Sequence, residues 1–239
     1  MRACAALTAE AGAAGRTRLT VVRSQAPLVL RPAADAVYLA AGAAGPIGGD
    51  ELALTVAVGP GACLTLRTVA AAVVLPGPGE SVLRLALSVG AGGRLAVLPE
   101  PTVVAARARH VVLTSAEVAA GGALVLREEV ILGRHAETGG AYRGLSRVDV
   151  AGRPLLRHEL VLDGADPATV GPASAVAARA CGALLVVDPA WDAANRPAGW
   201  AHTGAAALPL AGPGLLVTAV ADDARTLRTR LTAPPPSRS

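Results

Sequence analysis

The chain of 239 residues contains no lysine and no phenylalanine, and it has only two Tyr and two Trp. All 22 basic residues are therefore arginines, so the chain lacks the lysine of a P-loop, of a kinase ATP site and of a Schiff base. This absence excludes nucleotide hydrolysis at a Walker A site. The formal net charge is only +4 and the arginines are scattered. Because nucleic-acid sites usually combine a basic stripe with stacking rings, we expect no nucleic-acid partner.

Cysteine and histidine are also scarce, and neither is clustered. Cys4, Cys63 and Cys181 lie far apart, which argues against a disulfide framework and a structural zinc site. We expect three small buried residues in a cytoplasmic protein. The four histidines form no H-x-H, H-x-x-x-H or H-E-x-x-H pattern, so no tight metal site is predicted. The longest stretch without Asp, Glu or Arg, residues 197–221, is interrupted by Pro and Gly, so we expect no membrane span.

Apolar residues that alternate with small or polar ones dominate the first two thirds of the chain. The hydrophobic fraction is 52% and the mean hydropathy is +0.48, values that exclude a disordered chain. Residues 52–58 and 83–89 alternate with a period of two, which predicts half-buried strands. Gly/Pro clusters separate such segments, and Ala151-Gly152 predicts a tight hairpin. The pattern indicates a mainly β protein with many short strands.

The last third has a different pattern. Residues 173–182 are Ala-rich and predict a short helix, and the apolar residues 184–187 and 215–220 predict strands. A second helix is predicted over Asp223 to Leu231, with Asp222 as its N-cap. We find no linker that would divide the chain. The sequence predicts one domain over residues 1–232, with a segment at 1–14 that need not be ordered, and a disordered tail over 233–239.

Three places carry a carboxylate or histidine at the end of a strand or beside glycines. The first is Gly48-Gly49-Asp50, immediately before an alternating strand, and the second is Leu98-Pro99-Glu100-Pro101. The third is Gly133-Arg134-His135, with Glu137 close behind it. Glycine permits a positive φ or a close backbone approach, and Asp is disfavoured inside strands, so these places are candidate sites as well as turns.

Taken in order, these three places resemble the urease accessory protein family UreD, which is called UreH in some bacteria. The resemblance extends over about residues 15–232. Two departures concern Val97, where the family commonly has Trp, and Gly139, where it commonly has Glu, with Glu137 two residues earlier. The residues that carry the family motifs are Gly48, Gly49, Pro99, Gly133 and Arg134.

The resemblance implies a non-enzymatic scaffold of stacked, β-helix-like sheets, with about two short helices in the C-terminal third. Its implied partners are apo-urease and the accessory proteins UreF and UreG. It implies no tightly bound cofactor, although Ni²⁺ would pass through the complex to urease. A conduit must release its metal, so isolated carboxylates would suffice. The candidate residues for this transient path are Asp50, Glu100, Glu137 and His135.

Two other classes of protein remain open at this point. One is a β-rich ligand-binding module unrelated to urease, which would need an aromatic-lined groove. The other is a β-fold hydrolase that pairs His110, His135 or His158 with a carboxylate in a pocket. Inspection of the fold distinguishes these classes from the scaffold.

Overall fold

The computed structural model describes residues 1–170, 178–192 and 194–233. Most of these residues lie in strands, and the strands form two stacked sheets. No helix in these ranges is long and apolar enough to cross a membrane.

The two sheets are called sheet A and sheet B, and each is given in its spatial order. Sheet A consists of β14 (Arg153–Asp163), β13 (Ala141–Val150), β11 (Arg109–Val118), β8 (Ser81–Val89), β5 (Glu51–Val58), β1 (Arg2–Ala11) and β2 (Thr17–Arg23). Sheet B consists of β16 (Trp200–His202), β17 (Ala205–Pro209), β18 (Gly214–Ala221), β15 (Ala180–Val187), β12 (Ala123–Leu132), β9 (Arg94–Leu98), β6 (Cys63–Thr68), β4 (Val37–Ala41) and β3 (Leu28–Pro32). The short strands β7 (Ala72–Val74) and β10 (Thr102–Val104) pair with each other, and β10 also joins sheet B through β12.

The chain passes back and forth between the two sheets. Along the sequence, β5, β8, β11 and β13 lie in sheet A, and each of the first three is followed by a strand of sheet B. The strands β1, β5, β8, β11 and β13 pair in parallel, as do β4, β6, β9 and β12. This arrangement of stacked parallel strands resembles a β-solenoid, and the prediction of a mainly β, β-helix-like fold is confirmed.

Stacked Gly-containing turns connect the sheets at one end. Gly61, Gly92 and Gly121 adopt φ values of 68°, 66° and 78°, which glycine tolerates without a steric penalty. The Gly61 amide donates to the Ala91 carbonyl at 3.0 Å, so one turn lies directly on the next. The predicted hairpin is also present, because Ala151 and Gly152 both have a positive φ between β13 and β14.

The main core lies between the sheets. Alternate side chains of sheet A, such as Leu7, Leu54 and Val56, pack against side chains of sheet B, such as Leu95 and Leu124. These five residues are at most 4% exposed. The period-two alternation in the sequence therefore has its ordinary physical cause, since one face of each strand is removed from water.

A helix covers part of the outer face of sheet B. The short helix α1 (Pro167–Val170) follows β14, and α2 (Ala224–Thr232) ends the described chain. Leu227 and Leu231 of α2 are 0% and 1% exposed and pack on alanines and valines of β15, β17 and β18. A Cβ on Gly182 of β15 would lie 2.6 Å from the Glu128 carbonyl oxygen of β12 and 3.1 Å from a Leu231 methyl carbon, so glycine leaves room for both the neighbouring strand and this helix.

The structure corrects three predictions from the sequence. Residues 180–182 belong to β15 and not to a helix, and residues 173–177 of that predicted helix lie outside the described residues. The N-cap of α2 is Asp223, whose carboxylate accepts from the Thr226 amide at 2.8 Å, so the assignment of Asp222 was one residue early. The segment 1–14 is not disordered, because residues 2–11 form β1 between two strands of sheet A. Residues 234–239 of the predicted tail lie outside the described residues.

Candidate functional site

Asp50 lies in a tight turn at the start of β5, and it is only 5% exposed. One of its carboxylate oxygens accepts from the Met1 ammonium at 2.8 Å, and the other accepts from the Ile47 amide at 2.9 Å. Burial by itself would raise the pKa of Asp50, but these two hydrogen bonds and the charge of the amine outweigh it and leave the pKa below its usual value. Asp50 is therefore a buried carboxylate that is fully held by the fold.

The glycines before Asp50 serve two different needs. Gly49 has a φ of 91°, and its amide donates to the Glu80 carbonyl at 3.0 Å. Gly48 lies directly against the 76–79 loop, where an added Cβ would be 2.4 Å from the Gly79 carbonyl oxygen and 2.7 Å from the Gly77 nitrogen. The prediction of a positive φ or a close backbone approach at this pair is confirmed.

Glu100 lies in an ionic cluster that joins sheet B to α2. The Arg228 guanidinium donates to both oxygens of Glu100 at 3.0 Å, and it also donates to Glu129 of β12 at 3.0 and 2.5 Å. Glu129 is 3% exposed, so its buried charge needs these cationic partners. The neighbouring Arg127 lies 3.5 Å from Glu129 and 3.9 Å from Glu100.

The two arginines of this cluster differ in their surroundings. Burial lowers the pKa of Arg127, although the charge of Glu129 opposes this. Its Nη2 donates to the Pro99 carbonyl at 2.8 Å, but its buried Nε has no hydrogen-bond partner among the described residues. The hydrogen bonds to Glu129 raise the pKa of Arg228 despite its partial burial. Arg127 and Arg228 balance the charges of Glu100 and Glu129. This ionic cluster, which attaches α2 to sheet B, is called the clasp.

Glu137 and Arg134 form a closed loop after β12. Two bonds from the Arg134 side chain, at 2.8 and 2.9 Å, and one from its amide, at 2.9 Å, all reach the Glu137 carboxylate. The side-chain hydrogen bonds from Arg134 lower the pKa of Glu137 to about 2. Gly133 adopts a φ of 78°, and an added Cβ would lie 2.3 Å from the Glu137 carbonyl oxygen. His135 is exposed in the same loop.

A second polar cluster lies between the sheets, and sequence reasoning missed it. The Tyr142 hydroxyl of β13 donates to the Glu128 carboxylate of β12. Burial raises the pKa of Glu128, while the hydrogen bond from Tyr142 and the charge of His158 partly offset this. Burial also raises the pKa of the nearby Cys181 thiol to about 11. An added Cβ on Gly144 would lie 2.5 Å from the Glu128 carboxylate, so this glycine makes room for it.

His110 belongs to the same interior layer. Its ring lies 6.0 Å from that of Tyr142, measured between centroids, and its Nδ1 is 2.8 Å from the Ser81 hydroxyl. His110 and Ser81 are 3% and 0% exposed. Burial lowers the pKa of His110 to about 4, with a hydrogen bond to Ser81 opposing the shift. His110 therefore pairs with a serine that no substrate can reach, and not with the carboxylate that the hydrolase alternative requires.

The four predicted nickel-path residues are not brought together as a metal site. Among residues 1–170, 178–192 and 194–233, no group of three or more His, Cys, Asp and Glu side chains could hold a metal ion. Asp50, Glu100 and Glu137 each have a cationic partner. The three cysteines are free, but Cys4 and Cys63 are exposed, so the expectation that all three are buried was wrong.

The sequence contains one signal for these two charged clusters, although it does not show where their partners lie. Arg127, Glu128 and Glu129 are consecutive charged residues inside an otherwise apolar strand. Such a run in a strand with both faces covered requires partners for every charge. The partners come from α2 and from β13, however, and their positions depend on tertiary packing.

The fold and the site together define a class of protein, a two-sheet β-solenoid. Its buried charged groups hold its own strands and helix together, and within the described residues they form no metal centre. A family model described as "UreD urease accessory protein" matches residues 1–234. The chain belongs to this family.

Curated relatives agree with the family match. A urease accessory protein UreD of Frankia alni is 45% identical, with 98% of this chain and 92% of the relative covered. A UreD of Parafrankia sp. is 43% identical, with coverages of 97% and 86%. A UreD of Streptomyces coelicolor is 37% identical, with coverages of 97% and 94%.

Proposed function

We propose that this chain is a non-catalytic scaffold for urease maturation, which binds apo-urease and UreF-like and UreG-like accessory proteins and assists nickel delivery. The observation that carries the proposal is the family match over residues 1–234. The absence of lysine supports it, because GTP hydrolysis must then come from a partner with its own phosphate-binding lysine. The free cysteines, two of them exposed, suit the reducing cytoplasm.

We propose that nickel passes along a series of single carboxylates and is not held by a complete set of ligands at any one place. A carrier has to release its metal, so weak oxygen ligands are adequate. Asp50, Glu100, Glu137 and His135 remain the candidate residues, and we add Glu128. The charged partners of Glu100 and Glu137 are arginines on the protein surface or at its margin, and these can exchange for a cation.

The scaffold role is tested by co-expression of the chain with its UreF-like and UreG-like partners and apo-urease. Size-exclusion chromatography and mass determination then identify what co-purifies. We expect a complex that contains the chain and the accessory proteins. If the chain elutes alone while the other proteins are folded, the scaffold role is excluded.

The path is tested in the same complex through the nickel content of urease. We expect Glu100→Gln to leave the complex intact and to reduce nickel incorporation at least fivefold, because it removes a ligand. The comparison variant is Arg228→Gln, which keeps the Glu100 carboxylate but breaks the ion pairs of Arg228 with both Glu100 and buried Glu129, so its folding is checked by circular dichroism. Equal effects of the two variants would show that Glu100 acts only through the clasp to α2.

A further inference from the structure

Arg67 is an arginine on the outer face of sheet B that the clasp does not use. It lies on β6 and points outward, because its neighbours Leu64 and Leu66 point into the main core. Arg127 of β12 points to the same side of the sheet, where α2 carries Arg228. Three arginines therefore share this part of the face.

The strand register brings Arg67 and Arg127 to the two sides of Leu98 in β9. Arg67 is paired with Leu98 across β6 and β9. Val97 is paired with Leu126 on the other side of β9. The residues that follow these two, Leu98 and Arg127, are therefore level with each other. Since neighbouring strands lie about 4.8 Å apart, roughly 10 Å separates the backbones of the two arginines, and two arginine side chains can span this distance.

The Arg127 guanidinium has one donor group that a ligand can reach. Its Nη2 donates to the carbonyls of Leu98 and Pro99, at 3.3 and 2.8 Å. Its Nε is buried 3.5 Å from Glu129, without a hydrogen-bond partner among the described residues. Its Nη1 also has no partner in that part of the chain, but, unlike Nε, it is not fully removed from solvent. A ligand that approaches from the surface can therefore accept a hydrogen bond from Nη1.

Arg67 has no counter-ion in the part of the chain that the structure describes. Its side chain is half-buried, makes no hydrogen bond there and has no carboxylate within 4.0 Å. Tyr38 of β4 is its neighbour in the register, and the Tyr38 hydroxyl donates to Asp35 at 2.9 Å. A charged group that is partly removed from water normally has a partner. The partner of Arg67 is therefore to be sought in a ligand.

One positive charge is left over when the clasp and Arg67 are taken together. Arg127 and Arg228 balance the two glutamates of the clasp, so the charge of Arg67 is in excess. Burial lowers the pKa of Arg127 most, and the charges of Arg228 and Arg67 lower it further. The excess charge thus repels the arginines of the clasp. An anion between Arg67 and Arg127 removes this repulsion.

The place between the two arginines is open to water and suits an anion with two oxygens in one plane. The side chains of Glu100 and Arg228 at its margin are 35% and 32% exposed. The planar fork of a guanidinium matches the two oxygens of a carboxylate group, and such charge-assisted hydrogen bonds are about twice as strong as neutral ones. A single excess positive charge favours a monoanion, because a dianion would leave a negative charge beside Glu100.

We infer that Arg67 and Arg127 bind a small planar oxyanion with one negative charge, of the class to which acetate and bicarbonate belong. The Arg67 guanidinium donates to both oxygens of the anion, and Nη1 of Arg127 donates to one of them. This anion site lies beside the clasp. It does not depend on the proposed scaffold function, so its test needs no partner protein.

The test is isothermal titration calorimetry of the full chain with sodium acetate and, separately, with sodium bicarbonate. Chloride is exchanged for the anion at constant ionic strength, so the screening of surface charges does not change. Sodium sulfate is titrated in the same way as a tetrahedral dianion. The comparison of acetate with bicarbonate distinguishes an organic carboxylate from bicarbonate as the preferred ligand.

Two variants change Arg67, and a third is the matched control. Arg67→Gln removes the unpaired charge, and Arg67→Lys keeps the charge without the planar fork. The control is Arg94→Gln, because Arg94 of β9 is exposed on the same face and also has no carboxylate within 4.0 Å among the described residues. Circular dichroism melts in chloride establish that each variant folds. Arg67→Gln should melt no lower than the wild type, since it removes a repulsive charge.

We expect saturable binding of at least one of the two monoanions by the wild type. Arg67→Gln should bind this anion at least tenfold more weakly, and the affinity of Arg67→Lys should lie between the two. Arg94→Gln should bind within twofold of the wild type. Sulfate should bind the wild type at least threefold more weakly than the preferred monoanion.

Several results would overturn the inference. The anion site does not exist if neither monoanion shows saturable binding, or if Arg67→Gln binds within twofold of the wild type. Sulfate binding as tight as that of the monoanion, or an unchanged affinity in Arg67→Lys, would exclude recognition of a planar monoanion. A lower melting temperature of Arg67→Gln in chloride would show that Arg67 already has a partner within the chain.

Discussion

His110 is a single residue whose surroundings set its protonation. Because burial lowers its pKa from 6.5 to about 4, the folded protein keeps the ring neutral at pH values where the unfolded chain binds a proton. The contribution of the neutral His110 ring to the free energy of unfolding is complete above pH 6.5. It is lost as the pH falls from 6.5 to about 4.

We predict that His110 makes the free energy of unfolding fall by up to about 1.4 kcal/mol per pH unit as the pH decreases, and by about 3 kcal/mol in total over this range. The measurement is the free energy of unfolding by urea between pH 4 and 8 for the wild type and His110→Gln. The difference between them should be constant above pH 7 and should change below 6.5. Exposed His202→Gln is the control, and equal slopes for wild type and His110→Gln would contradict the prediction.

Gly48 is a second residue whose role is local. An added Cβ would meet backbone atoms of residues 77 and 79, which cannot turn aside as a side chain can. We predict that Gly48→Ala lowers the free energy of unfolding by about 1–3 kcal/mol. The control is Gly212→Ala, where the nearest atom is a Leu155 methyl carbon at 2.9 Å that can rotate away. Thermal and urea unfolding measure both variants, and equal losses would show that the close approach is not the cause.

The helix α2 is the element whose attachment depends most on charge. Its Leu227 and Leu231 supply the apolar contact, and Arg228 supplies the ionic one. Without Arg228, the carboxylate of Glu129 would remain buried with only Arg127 beside it. A buried charge that loses its partner is strongly destabilising.

We predict that Arg228→Met increases hydrogen exchange of the amides of residues 224–232 at least tenfold. Exchange in β5 and β8 should change little, because those strands lie in the other sheet. Exposed Arg225→Met on the same helix is the control. Protection of α2 that is equal in both variants would show that the apolar contact alone holds the helix.

At the scale of single elements, the alternation of apolar with small or polar residues predicted the strands in the first two thirds of the chain, because one face of each of these strands is buried and the other is not. The strands at 184–187 and 215–220 are confirmed within β15 and β18. The helix over 173–182 was predicted from its alanines, which favour helices locally, whereas pairing with β12 and β18 holds residues 180–182 in the sheet. Local preference was weaker than tertiary pairing.

For the whole molecule, the sequence predicted the class of fold but not the placement of charged groups. The glycines at 48, 49 and 133 and the hairpin at 151–152 reflect local backbone geometry, so they could be found from sequence. The clasp of Arg228 with Glu100 joins residues 128 positions apart, and no periodicity reports such a contact. Glu128 escaped notice for the same reason, since Tyr142 and Gly144 reach it from the opposite sheet.

The position of β1 has a consequence for synthesis of the protein. In the chain, its parallel partner β5 begins 49 residues after it, and only β2 pairs with it sooner. At about 5–20 residues per second, translation leaves one edge of β1 unpaired for roughly 2–10 s. An open strand edge can pair with other chains. This edge of β1 is therefore open to misassembly during synthesis until the first coil of the solenoid has closed.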